Sequence, residues 1–203
     1  MKSTFHRILH PRSRRVRSWL ILGVGWLVVL WFHTVLFAAE ARIDNVHVAR
    51  KNGRLVVSAV LRNGFGEKTL QELHNGLPKD FYYDLVLKRK QKNFLDEEIL
   101  AKTLRTTVRY DTLKLQYAVT KEDGTDRQTT TWDDLESMQR DVAKIDRVAL
   151  APVDILLPDR RYYVDVQAQM RTARLPFYQE YFLFFIPFLE IDTRWAHSGV
   201  FTR

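Results

Sequence analysis

No cysteine occurs in the 203 residues of the chain. That excludes disulfides, thiolate nucleophiles, cysteine metal sites and the lipidated cysteine of a bacterial lipoprotein, and leaves packing alone to hold the fold. Serine is scarce beyond residue 41, where only Ser58, Ser137 and Ser198 occur, and none sits in the nucleophile-elbow setting of a hydrolase. The same part holds only His47, His74 and His197, without metal-ligand spacing among them. Gly64-Phe65-Gly66-Glu67-Lys68-Thr69 lacks the glycine directly before lysine that a phosphate-binding loop needs, so it reads as a turn. Asp123-Gly124-Thr125-Asp126 lacks the ligand series of a calcium loop. No catalytic residue, metal or cofactor is therefore assigned, and a non-enzymatic role is expected.

An excess of positive charge is missing from most of the chain, although the net charge is +8. Residues 1–17 hold Lys2, Arg7, Arg12, Arg14, Arg15 and Arg17 with no acid, and residues 42–203 retain only +3. A near-balanced domain has no footprint for a phosphate backbone, which excludes nucleic acid as a partner.

What is present first is an apolar run. From Trp19 to Ala39 there is no charged side chain, and only His33 and Thr34 are polar. About 21 residues at roughly 1.5 Å each cross the roughly 30 Å hydrocarbon core of a bilayer. Basic residues before the run and none directly after it keep the N-terminus in the cytoplasm and send the remainder across the membrane. The run exceeds the roughly 7 to 15 apolar residues of a cleavable signal, yet Ala39-Glu40-Ala41 offers the small residues that a signal peptidase reads. Signal anchor and signal peptide both stay open. The expected organisation is a basic cytoplasmic leader (1–17), a signal peptide or anchor (18–41) and an extracytoplasmic domain (42–203). Its location is the inner membrane with a periplasmic domain, or the periplasm if the chain is cut after Ala41.

The domain itself reads as mainly β. Leu55, Val57, Ala59 and Leu61 alternate after Lys51-Asn52-Gly53, a tight-turn signal that makes residues 42–62 a hairpin. Thr69–His74 predicts a short helix closed by Asn75-Gly76. Phe81, Tyr83, Leu85 and Leu87 mark a strand over 79–90, and residues 91–101 suit either period. Leu104, Thr106, Val108 and Tyr110 mark another strand, and Leu113, Leu115, Tyr117 and Val119 a further one. Thr131 with Asp134 resembles a capping pair ahead of Leu135, Met138 and Val142, which share a helical face. Pro152 and Pro158 punctuate a linker. In 162–171 Tyr162, Val164, Val166, Ala168 and Met170 face a core while Asp165, Gln167, Gln169 and Arg171 face water. The expectation is an antiparallel β-sandwich of immunoglobulin-like type with one or two short helices.

One stretch departs from this pattern. Tyr181 to Leu189 reads YFLFFIPFL, too short to span a bilayer. It is either a buried strand or an exposed docking surface, and Pro187 makes it a poor central strand. The residues of a membrane or partner contact are then Tyr181, Phe182, Phe184, Phe185 and Phe188, extended by Trp195.

Several stretches carry a resemblance. They are Asn75-Gly76-Leu77-Pro78 followed by Phe81 and Tyr83, then Arg109-Tyr110-Asp111-Thr112-Leu113 leading to Gln116-Tyr117-Ala118-Val119, and Tyr162-Tyr163-Val164 with Leu175-Pro176-Phe177. In these the chain resembles a bacterial family catalogued as domain of unknown function 4390, over most of residues 43–200. The resemblance implies an N-terminal export segment, an extracytoplasmic domain and no established activity. Genes of the family often lie beside those for membrane sensor kinases, which implies an accessory role in the envelope. The expected function is a periplasmic interaction or accessory module beside an inner-membrane protein partner, for which the resemblance implies a sensor kinase. The alternative is a periplasmic carrier of an apolar ligand or lipid, with Tyr83, Tyr117 and Tyr162 lining a cavity between the sheets. The oligomeric state is left open.

Overall fold

A hairpin opens the described chain. In the computed structural model, which describes residues 40–92, 94–172 and 191–203, strand β1 (Arg42–Lys51) turns back into β2 (Arg54–Arg62). The apolar run 19–39 and the aromatic stretch 181–189 lie outside the described residues. Lys51 faces Arg54 and Arg42 faces Arg62. Asn52 and Gly53 have φ of 49° and 71°, the two positive values of a type I′ turn, whose twist matches that of the strands it joins. Leu55, Val57, Ala59 and Leu61 are buried, as their alternation predicts.

Helix α1 (Glu67–His74) follows, and Gly76 at φ 83° ends it. The Leu77 N–H donates to the Glu72 carbonyl at 3.0 Å and the Gly76 N–H to that of Leu73 at 2.9 Å, so the last carbonyls are satisfied in a Schellman arrangement. Lys79, buried at the start of the next strand, pairs with Glu72 and ties the helix to the sheet.

Four strands then form a meander: β3 (Lys79–Arg89), β4 (Glu97–Asp111), β5 (Gln116–Asp123) and β6 (Asp126–Trp132), each antiparallel to the next. The segment of mixed periodicity divides, with Phe94 and Leu95 exposed in a loop and Ile99 and Leu100 in β4. Leu113 and Leu115 are a correction, because both lie in the β4–β5 turn and face solvent. The Asp111 carboxylate takes the N–H groups of Leu113 and Lys114, each at 3.0 Å, and offers the backbone a local partner in place of the ladder.

Helix α2 (Leu135–Ala143) buries Met138 and Val142. Its cap is Asp134, whose carboxylate accepts the Ser137 N–H at 2.7 Å; Thr131, expected to share that role, lies in β6 opposite Ala118. Residues that showed no clear period form β7 (Lys144–Pro152), which pairs with β2, and the span between Pro152 and Pro158 holds a 3-10 turn over Val153–Ile155. Next come β8 (Arg161–Thr172), which pairs with β3, and three two-residue strands along the other edge of β8. These are β9 (Ile191–Asp192), β10 (Ala196–His197) and β11 (Phe201–Thr202).

The described residues are thus mainly β, with two α-helices and two antiparallel sheets. The small sheet has the order β1-β2-β7 and the large one β10-β8-β3-β4-β5-β6, with β9 and β11 also on β8. One hydrophobic cluster takes Leu55 and Val57 from the small sheet, Leu85, Val108 and Val164 from the large one, and Leu73 and Met138 from the helices. Each such fully buried large aliphatic side chain contributes on the order of 1.5–3 kcal/mol.

Candidate functional site

In β3 the odd-numbered residues enter the core, so Asp80, Tyr82, Asp84 and Lys88 belong to the outer face of the large sheet. Register places Arg105 of β4 and Gln169 of β8 beside Tyr82, and Tyr163 of β8 beside Lys88. Two groups of similar construction result.

In the first, the Asp80 carboxylate takes a guanidinium N–H of Arg105 at 2.7 Å and the Thr107 hydroxyl at 2.6 Å. Asp80 is only 3% exposed, and these bonds give its buried carboxylate oxygens partners. The guanidinium of Arg105 in turn stands 5.9 Å from the centre of the Tyr82 ring, and that of Arg171 stands 5.6 Å from it. Cations at such distances are attracted by the negative ring face.

The second group lies where the C-terminal strands meet β8. Asp165 is 2% exposed, which corrects the expectation that it faces water. Its carboxylate accepts the Lys88 ammonium at 2.9 Å, while a ring nitrogen of His197 contacts its other oxygen. Lys88 stands 5.8 Å from the centre of the Trp195 ring. Tyr163 lies edge-on to the His197 ring, 6.0 Å between centres, and donates its hydroxyl to Asp96 at 2.8 Å. Burial, the bond to Asp96 and the charges of Asp165 and Asp96 push the Tyr163 phenol well above its ordinary pKa. Asp96 is held low, first by the Gln91 N–H and then by that same hydroxyl.

Backbone irregularity puts Trp195 at this place. Between β9 and β10 the chain leaves the ladder, and the Thr193 hydroxyl takes the Ala168 N–H at 2.9 Å; between β10 and β11 the Ser198 hydroxyl takes the Val164 N–H at 2.9 Å. Side chains thereby replace missing ladder bonds, and the bulged segment presents Trp195, 42% exposed, on the surface. Of the six predicted contact residues, Trp195 is the one described; Tyr181, Phe182, Phe184, Phe185 and Phe188 lie outside the described residues.

The arrangement combines exposed aromatic edges, cations held over them and buried acids that fix those cations. Trp, Tyr and Arg are residue types enriched at the energetic centres of protein contacts. Sequence reasoning missed Asp80 and Asp165 as anchors, because an acid at an outward strand position carries no local sign of burial. Among the described residues, no group of three or more His, Asp or Glu side chains is placed to hold a metal.

A groove of about 600 Å³ opens between β4–β6 and β7. Tyr83 reaches it, but Lys121, Glu122, Asp123, Arg127, Lys144 and Asp146 give it charged walls, and Tyr117 and Tyr162 do not line it. Tyr83 donates its hydroxyl to the Val142 carbonyl at 2.7 Å, and burial raises its pKa.

A family model described as Domain of unknown function (DUF4390) matches residues 38–198. No curated protein and no solved structure matches the chain.

Proposed function

The chain belongs to the DUF4390 family, and on that premise we propose that it is a non-enzymatic interaction module, exported and held beside the inner membrane. It engages a membrane protein, of which a sensor kinase is the class that the resemblance implies. The two sheets form the layers of a β-sandwich, supported by the core cluster that draws on both. Its four-strand meander, β3 to β6 in one sheet, is a connectivity of its own beside the alternating sheets of an immunoglobulin domain.

The observation that carries the recognition role is the pair of acid–cation–aromatic groups on the outer face, Asp80–Arg105–Tyr82 and Asp165–Lys88–Trp195. Buried acids that lock cations over aromatic rings lower the entropy that a surface loses on docking. The aromatic residues 181–188 follow β8 in sequence and are read as an extension of that surface.

Two measurements test this function. Alkaline phosphatase fused after Arg203 is expected to be active; an inactive fusion places the domain in the cytoplasm and overturns the reading. A Tyr82→Ala/Trp195→Ala variant is expected to keep its far-ultraviolet circular dichroism and lose photo-crosslinking to its membrane partner. Unchanged crosslinking removes this face from the function.

A further inference from the structure

The β4–β5 turn presents apolar side chains to solvent. Leu113 is 95% exposed and Leu115 64%, with Lys114 between them. Their display is built in. Asp111 accepts the N–H groups of Leu113 and Lys114, each at 3.0 Å, and Leu115 is held at φ 55°. Below the turn Tyr110 and Tyr117 pack at 4.8 Å between ring centres, and Tyr117 is joined to His74 of α1 by a 2.6 Å hydrogen bond. A turn braced in this way cannot fold its leucines back without breaking several contacts.

The turn lies at the end of the body where the chain's two most apolar segments attach. Thr172, at the end of β8, pairs with Lys79, and Lys79 with Val108, three residues before Asp111. The stretch containing Tyr181–Leu189 leaves the described chain after Thr172 and returns at Ile191, which pairs with Met170. The start of β1 belongs to the same end: Arg50, near its finish, bonds the carbonyl of Thr202, which pairs with Arg161 at the opposite end of β8. Arg42 follows the apolar run 19–39 after two residues, a reach of about 10 Å at full extension.

We propose that Leu113 and Leu115 dip into the interfacial layer of an anionic lipid bilayer while Lys114 meets lipid phosphates. A tip of two leucines and a lysine is far below the roughly 800 Å² per partner of a stable protein interface, but it is the composition with which surface-bound segments enter a bilayer margin. The occupant is lipid. The inference rests on the reading of the chain as membrane-anchored, which supplies the nearby bilayer.

The chain has no cysteine, so Leu113→Cys supplies a single thiol for an environment-sensitive fluorophore. Phe94→Cys is the control, since Phe94 is also largely exposed, at 80%, but lies toward the other end, in a loop whose Lys90 N–H bonds the Arg161 carbonyl at 2.8 Å. The full-length variants are reconstituted into vesicles of phosphatidylethanolamine and phosphatidylglycerol containing nitroxide lipids. The expected result is blue-shifted emission and several-fold stronger lipid quenching at residue 113 than at 94. A label at 113 open to aqueous iodide, or stronger lipid quenching at 94, overturns the proposal. So does shielding of residue 113 that occurs in native membranes but not in these vesicles, since a protein then covers the tip. If the chain fails to co-float with the vesicles, the anchored reading falls and this inference with it; co-flotation with an iodide-accessible 113 overturns this inference alone.

Discussion

The carboxylate of Asp165 and the ammonium of Lys88 stand 2.9 Å apart on the outer face of the large sheet, and Asp165 is almost wholly shielded from water. The acid thereby couples the end of β3 to β10, because it also contacts His197.

Replacing Asp165 by Asn keeps the shape and removes the charge that Lys88 and His197 share. Loss of one partner from a buried pair costs about 3–5 kcal/mol, and the partial exposure of Lys88 brings the expectation to roughly 1–3 kcal/mol. Urea denaturation should show a lower midpoint with an unchanged slope. In a Lys88→Met background the same substitution should cost less than in the parent, and equal costs would show that the two residues act independently.

Acid should weaken the fold through its turn and cap carboxylates. Asp134 is held low by the Ser137 backbone N–H, Asp111 chiefly by that of Lys114 and Asp96 chiefly by that of Gln91. A carboxyl whose pKa is depressed in the folded state binds protons more readily when unfolded. Its contribution is present above the ordinary carboxylate range and is lost as pH falls from about 4 through the folded values. The urea midpoint should therefore drop between pH 5 and pH 2.5. Asp134→Asn, which still caps but does not titrate in this range, should show a shallower drop; an identical profile removes Asp134 from the acid response.

Gly76 sits at φ 83° with open space where a Cβ would be built. Gly76→Ala should therefore cost about 1–2 kcal/mol through backbone conformation alone, read as a lower melting temperature. A neutral outcome would mean that α1 ends in some other way.

Much of the architecture could be read from the chain because it rests on local chemistry. The β1–β2 hairpin follows from Asn52-Gly53, and the alternating residues of β8 from Tyr162 to Met170 are buried as predicted. Strand β6 escaped notice because it pairs on one side only and its Gln128-Thr129-Thr130-Thr131 run buries little. Strand β7 escaped because register shifts against β2, with Arg147 at φ 50°, erase its two-residue period. The candidate surface was the least legible part. Lys88, Asp165 and Trp195 lie far apart in sequence, and they meet only because β3 pairs with one edge of β8 and β10 with the other.

The three short strands along β8 also set a timetable. Among the described residues β8 has β3 on one side and residues 191–203 on the other, so the partners of its second edge arrive only once residues 191–203 have been synthesised and delivered. A nascent chain halted before Ile191 would lack these partners for β8, and chaperones and proteases would compete for a half-finished sheet.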